Sequence, residues 1–334
     1  MDKNEIRAIL KDWNDWESQQ DIGTVRSAYL DRLGSLISGS NQVITITGPR
    51  RAGKSYLMRQ MARRLSDKGT RKENILFVNF EDPRFSSLDT KVLAQVYDVY
   101  KGFSSPTDTP YIFLDEIQEV TGWEKWVRTM HELRKAKLIV SGSNAQLLSR
   151  ELGTLLTGRH IDLTVFPLSF AEYLTFNKME VNGAFGVLGK TAEIDGLLHK
   201  YIEAGSFPEV ALSVKKTEIL LNYFDDLLTK DLLKRFRIRK TPVMKALIKY
   251  YLSNAANLVS FTSVGKSLQA NPHTIEKFSG YLEDVYLIFL LKRFSYKVKE
   301  QEKSPRKIYG IDTGLCNSLG FRFSENIGRL AENI

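Results

Sequence analysis

The 334-residue sequence contains a single cysteine, Cys316, and only four histidines. One thiol cannot close an internal disulfide, and so few scattered imidazoles do not supply the remaining ligands of a zinc site. A reducing compartment fits both scarcities, so a cytoplasmic location is expected. Long apolar runs are missing as well. The longest, Val285 to Leu291, is seven residues, against the ~20 that a membrane-spanning helix needs. The stretch Met1 to Leu10 carries Asp2, Lys3, Glu5 and Arg7 around no apolar centre, so it does not read as a signal peptide. No membrane partner is expected. Repeats and low-complexity segments are also lacking, and 43% hydrophobic with 26% charged residues is the composition of a globular chain, not a disordered one.

The length suits an α/β domain followed by one or two smaller ones. Lys and Arg outnumber Asp and Glu by 48 to 39, and the net charge of +9 favours polyanionic partners without choosing among nucleotide, nucleic acid and acidic protein. Five stretches rich in β-branched and aromatic residues read as buried strands: Gln42–Thr47, Asn74–Phe80, Tyr111–Leu114, Lys137–Ser141 and Ile161–Phe166. Amphipathic helical patterns lie between them, at Leu57 to Leu65, Trp123 to Leu133 and Leu147 to Leu156. Such alternation implies a five-stranded parallel sheet with helices on both faces.

After Pro167 the strand signal stops. Ser169 and Glu172 form a capping box that opens a helical stretch reaching about Phe236, with a loop around Asn182 to Lys190. The run from Ile219 to Leu232 reads as a packed lid helix. From Thr241, with Pro242 at the first helical position, the order is helix, short helix, turn at Gln269 to Asn271, helix, hairpin, which is the plan of a winged helix. In that hairpin Phe294, Tyr296 and Val298 alternate with Arg293, Ser295, Lys297 and Lys299, so a strand with its apolar face on the core is expected, paired with Arg306 to Ile311. The expected domains are 1–168 (sheet), 169–240 (helical lid), 241–320 (winged helix) and 321–334.

The chemistry sits in the first domain. Gly48, Pro49, Arg50, Arg51, Ala52, Gly53, Lys54 and Ser55 fit G-x-x-x-x-G-K-[ST], the phosphate-binding loop, placed after a strand and before a helix. Phosphates require backbone N–H groups aimed inward, so the glycines permit turns and close approach that a Cβ would block. ATP is the expected ligand, with Lys54 on its β and γ phosphates, Ser55 on Mg²⁺, and Tyr56 following in the positive end of the helix. Leu114-Asp115-Glu116 ends an apolar strand, where Asp115 suits the metal and Glu116 suits a base that activates water. Ser143 and Asn144 follow the next strand as candidate γ-phosphate sensors, and either equally suits a helix N-cap. Gly158 and Arg159 close the helix after them, where a glycine C-cap and a cation on the helix dipole explain both structurally.

Together GPRRAGKS, FLDEIQ, VSGSN, LLTGR with FPLSFAEYL, AGSFPEV and PRKIYGIDTGL resemble the AAA-type P-loop ATPases of bacteria and archaea that carry a C-terminal domain of unknown function. The resemblance runs from about Tyr29 to the end. It implies an ATPase sheet, a helical lid, a winged helix and then a restriction-endonuclease-like domain. It also implies that Arg159 lies where such ATPases place an arginine finger acting on a neighbouring subunit, and hence a homo-oligomer. Ile327–Ile334 resembles the start of the last domain, so a truncated beginning of it, without its activity, is expected. The lid offers no unambiguous second sensor arginine, with Arg235, Arg237 and Arg239 candidates by position.

The leading expectation is an ATPase coupled through its winged helix to double-stranded DNA or a protein. Lys230 to Lys240 and the hairpin cations favour a polyanion, whereas Glu276, Glu283 and Asp284 near the recognition helix oppose one. The alternative is a low-turnover, ATP-dependent regulatory scaffold without nucleic-acid binding. A small-molecule kinase fits less well, because Asp115 and Glu116 supply a base for water.

Overall fold

The computed structural model describes residues 1–15, 22–143, 158–179, 189–320 and 327–334. The expected helix from Leu147 to Leu156 and the loop at 182–188 lie outside them. The chain divides into two units: Met1–Gly48 with Gly53–Val165, and Pro49–Ala52 with Phe166–Ile334.

The first unit is built on five parallel strands, β1 (Val43–Thr47), β2 (Ile75–Asn79), β3 (Tyr111–Asp115), β4 (Lys137–Ser141) and β5 (His160–Thr164), in the order β2-β3-β4-β1-β5. All of β1 is buried, as expected for a strand covered on both faces by helices, and its Val-Ile-Thr-Ile-Thr sequence suits that environment. Leu76, Val78, Ile112, Leu114, Leu138 and Val140 form one core with the helices Lys3–Trp13, Thr90–Ser104 and Trp123–Glu132. The edge strand β2 does not leave its backbone open. Asn14, just after the first helix, donates its amide to the Phe77 carbonyl (2.8 Å) and accepts from Phe77 N–H (2.7 Å), standing in for a residue of a further strand.

The connection from β1 to β2 carries the chain past β4 and β3, so the C-terminal ends of β3, β4 and β1 come side by side. Ligand crevices of open parallel sheets lie at such ends.

The second unit is mainly helical. Ser169 caps the helix Phe170–Phe176 in the expected box, with Ser169 N–H donating to the Glu172 carboxylate at 2.9 Å. Helices Thr191–Ala204, Pro208–Leu212 and Lys216–Asp226 follow. The last continues as a π-helical segment, Leu227–Lys234, that buries Leu227, Leu228, Asp231 and Leu232. Thereafter come helix Thr241–Ser253, strand β6 (Leu258–Val259), helix Phe261–Ser267, helix Pro272–Asp284, strand β7 (Ile288–Leu291) and strand β8 (Arg306–Gly310). The three strands form an antiparallel sheet ordered β6-β8-β7.

The hairpin departs from expectation. β7 ends at Leu291 and its register with β8 runs only from Ile288↔Gly310 to Leu291↔Lys307, so no strand among the described residues pairs with Arg293 to Lys299. Phe294, Tyr296 and Val298 are 75%, 95% and 70% exposed rather than seated on the core. Local bonds shape the segment instead. Ser295 Oγ accepts from Lys297 N–H and donates to Glu300, Gln301 donates to the Ser295 carbonyl, and Val298–Lys303 closes into a short helix. Alternation without a partner strand does not hold an extended conformation.

Candidate nucleotide site

β1 delivers the chain into the phosphate loop at Gly48, whose φ is +136°, and a Cβ there would lie 2.1 Å from the Val165 carbonyl oxygen. Only glycine fits. Gly53, at φ +96°, opens the helix Lys54–Asp67. That helix directs its unpaired N–H groups, and the positive end of its dipole, to the end of the sheet. The Lys54 side chain is buried. Its Nζ donates to the Gly48 carbonyl at 3.1 Å and stands 3.9 Å from Glu116 Oε1.

Asp115 ends β3 and is fully buried. The Ser141 hydroxyl donates to its Oδ1 and Ser55 lies close enough to lower its pKa, while Oδ2 has no partner among the described residues. Burial pushes the Asp115 pKa up, the adjacent Glu116 charge adds to that rise, and the two serines with Lys54 oppose it. A buried carboxylate oxygen without a donor is costly unless something positive meets it. Ser55 and Asp115 together offer a hydroxyl and a carboxylate, hard oxygen donors of the kind Mg²⁺ takes alongside phosphate and water oxygens. The residues present therefore fit that ion.

Glu116 adopts a left-handed backbone, φ +52°. Its N–H donates to Ser141 Oγ at 3.0 Å, and its Oε2 accepts from Gln118 Nε2 at 2.5 Å. Non-glycine residues in that region are uncommon and cluster at functional sites.

Ser143 is buried just past β4, and its hydroxyl has no partner among the described residues. Asn144 lies outside the described residues. Arg159 is at the other end of the sheet: its carbonyl accepts from Val43 N–H at the start of β1, a strand length of ~15 Å from Gly48. Its guanidinium pairs with Glu132 at 2.6 Å on the surface. Tyr56 is 44% exposed and packs against Gly23, in a segment held by Gln60 through bonds to the carbonyls of Ile22 (2.8 Å) and Thr24 (3.1 Å).

Pro49–Ala52 groups with the second unit. There Arg50 makes a forked pair with the buried Asp231, 2.9 Å from Nε and 3.3 Å from Nη2, and Arg51 lies 3.7 Å from Asp226 and over the Tyr223 ring. Ala52 is buried, and its N–H donates to the Pro49 carbonyl at 3.3 Å.

Sequence reasoning missed Ser141 and Gln118. For Ser141 a signal existed: β3 and β4 are apolar strands that each end in a polar residue, and the register Leu114↔Val140 sets Asp115 beside Ser141. For Gln118 the signal was its place at the end of the FLDEIQ segment, without a contact to read from it, since residues two apart do not face each other in regular helix.

Residues 40–174 match the family model described as an AAA domain, and residues 195–326 match a domain of unknown function (DUF8612). An uncharacterized protein of Methanocaldococcus jannaschii is 33% identical over 303 residues, which cover 88% of this chain and 65% of that protein. The chain thus spans just under two thirds of that relative. A Haemophilus influenzae protein is 30% identical over 317 residues, covering 92% of this chain and 76% of its own length. Among solved structures, the Walker-type ATPase PABY2304 of Pyrococcus abyssi superposes with a TM-score of 0.56 at 11% identity, covering 88% of this chain and 95% of that one, a likeness of fold. The chain belongs to the family of the Haemophilus influenzae protein, and its residues 40–174 carry an AAA domain.

Proposed function

We propose that the protein hydrolyses ATP with Mg²⁺ and couples the turnover to a polyanionic partner held by its C-terminal unit. The observation that carries the ATPase reading is the meeting of Lys54, the orphaned Asp115 oxygen and the Glu116 carboxylate past the ends of β1 and β3, the two strands that flank β4. In this reading phosphate oxygens replace the Gly48 carbonyl as partners of Lys54, and Ser55 with Asp115 hold the metal. A bound Mg²⁺ supplies positive charge to the phosphates as the transition state forms. Glu116 accepts a proton from the attacking water. The water oxygen bonds to the γ-phosphorus as the bond to the β–γ bridging oxygen breaks, the electron pair leaves on ADP, and the proton passes from Glu116 to the products.

Phosphate release and binding of a fluorescent ATP analogue test this. Lys54→Ala is expected to abolish tight binding, because Lys54 meets phosphate in the ground state. Glu116→Gln is expected to keep binding and to lower turnover by ~10²-fold or more, because a base acts in the transition state. Hydrolysis by Glu116→Gln at the parent rate would reject the base and favour the low-turnover scaffold.

The partner reading treats 169–240 as a lid and 241–320 as a winged helix. Support comes from the order helix, strand, helix, turn, helix, hairpin and from the sheet order β6-β8-β7. The hairpin connection adds Arg293, Lys299 and Lys303, which make no ion pair among the described residues, beside the exposed Phe294 and Tyr296. Cations interleaved with exposed aromatic rings suit a nucleic-acid backbone and its bases.

A further inference from the structure

Gln118 is not among the residues that the motif assigns to chemistry, yet its amide lies against the proposed base. Three features place it there. Glu116 turns through a left-handed φ of +52°, Ile117–Glu119 forms a single 3₁₀ turn with Glu119 N–H on the Glu116 carbonyl at 3.1 Å, and Ile117 is buried as the anchor of that turn. The left-handed residue reverses the side-chain direction that ordinarily separates residues two apart. Gln118 Nε2 therefore reaches Glu116 Oε2 at 2.5 Å. The amide orientation follows from chemistry, since the flipped form would set two oxygens against each other.

The other half of the amide is the more informative. Gln118 Oε1 is buried and accepts from no donor among the described residues. A buried acceptor left open in this way calls for a donor. The remaining carboxylate oxygen, Glu116 Oε1, faces Lys54 at 3.9 Å, the cation that phosphate would engage. Once Lys54 is so engaged, the hydrogen-bonded pair of Gln118 and Glu116 keeps one open acceptor on each side chain, Gln118 Oε1 and Glu116 Oε1, and a water molecule carries two hydrogens.

Resting on the ATPase reading above, we infer that Gln118 positions the attacking water. Its Nε2 holds Glu116 in place and its Oε1 accepts the water hydrogen that Glu116 does not take. Only the hydrogen on Glu116 is transferred; the bond to Gln118 orients the oxygen lone pair toward the γ-phosphorus. Gln118 is a positioning residue, with no proton of its own to exchange.

Gln118→Glu keeps the shape of the side chain while removing the donor and adding a like charge, and Gln118→Ala removes both functions. Steady-state phosphate release, binding of the fluorescent ATP analogue and thermal unfolding are measured for each, together with Glu116→Gln and the double variant Glu116→Gln/Gln118→Ala. The expected result is a kcat lowered ~10- to 100-fold, with analogue affinity and Tm unchanged. The double variant should be no slower than Glu116→Gln alone, because two residues acting on one water do not contribute additively. A kcat within twofold of the parent in both Gln118 variants overturns the inference. So does a loss of kcat matched by a loss of affinity or Tm, which marks a structural role. If the parent is no faster than Glu116→Gln, the ATPase reading itself fails and takes this inference with it. A fast parent, a slow Glu116→Gln and unaffected Gln118 variants reject Gln118 alone.

Discussion

Asp82 is a buried carboxylate whose lone pairs are nearly all spoken for. Arg84 donates to it from Nη2 at 2.7 Å and from its backbone N–H at 3.0 Å, and Trp13 Nε1 donates at 2.8 Å. The Arg84 side-chain bonds dominate, burial opposes them, and the Asp82 pKa falls from 3.8 to about 2. A carboxylate held low in the folded state stabilises the fold when ionised. That contribution is complete above the ordinary pKa and fades as the pH falls from about 4 to about 2. Asp82→Asn should therefore lower the Tm near neutral pH, and the gap from the parent should close on titration toward pH 2. A gap that stays constant across that range would mean the variant acts through packing alone. None of this was legible in the sequence, because Asp82 and Arg84 sit in a loop without periodicity, and Trp13, 69 residues away, completes the set.

Among elements, the segments Ala204–Val210 and Pro305–Leu315, quoted above only as markers of resemblance, prove to be one structural knot in the second unit. Asp312 is buried and accepts from Ser206 N–H (2.6 Å), Ser206 Oγ (2.9 Å) and Leu315 N–H (2.9 Å), capping the helix Thr313–Leu319. Thr313 and Asn317 cover carbonyls at the end of the helix Thr191–Ala204. Gly205, at φ +85°, is required here, since a Cβ would fall 2.3 Å from Asp312 Oδ1. Burial pushes the Asp312 pKa up, and the backbone N–H groups oppose the rise. Asp312→Ala would leave buried donors unpaired, at about 1–3 kcal/mol each, so a Tm lower by several degrees is expected in thermal unfolding. An unchanged Tm would show the knot to be dispensable. Four strands of the sheet were readable as short, mostly apolar runs enriched in β-branched or aromatic residues, and β5 by the alternation of Ile161 and Leu163 with Asp162 and Thr164. The hairpin misled because Phe294, Tyr296 and Val298 alternate like a strand yet have no strand to pair with among the described residues.

For the whole molecule, the question is whether turnover is linked to a nucleic acid. If the connection between β7 and β8 binds duplex backbone, log affinity should fall with log salt by about 0.9 for each phosphate neutralised. Reversing Lys299 and Lys303 should then flatten that slope by about one per residue and leave ATP-analogue binding untouched. A salt-independent affinity, or a slope the variants do not change, would remove this surface from consideration and leave a protein partner as the reading. Among the described residues, no helix is long and apolar enough to cross a membrane.

The sequence by itself determined the phosphate loop, the acidic pair after an apolar strand and the α/β alternation, since each is written in residues close together in the chain. Local turn chemistry and hydrophobic periodicity need no distant partner to be read. Only the tertiary structure decided which strand ends adjoin. The order β2-β3-β4-β1-β5 is what sets Ser141, 26 residues on, against Asp115. Packing within the second unit brought Arg50 to Asp231 across 181 residues, where an acid on an amphipathic helix reads as a solvent-facing charge. Burial and pairing between distant segments set those contacts, and no window of the chain contains both partners.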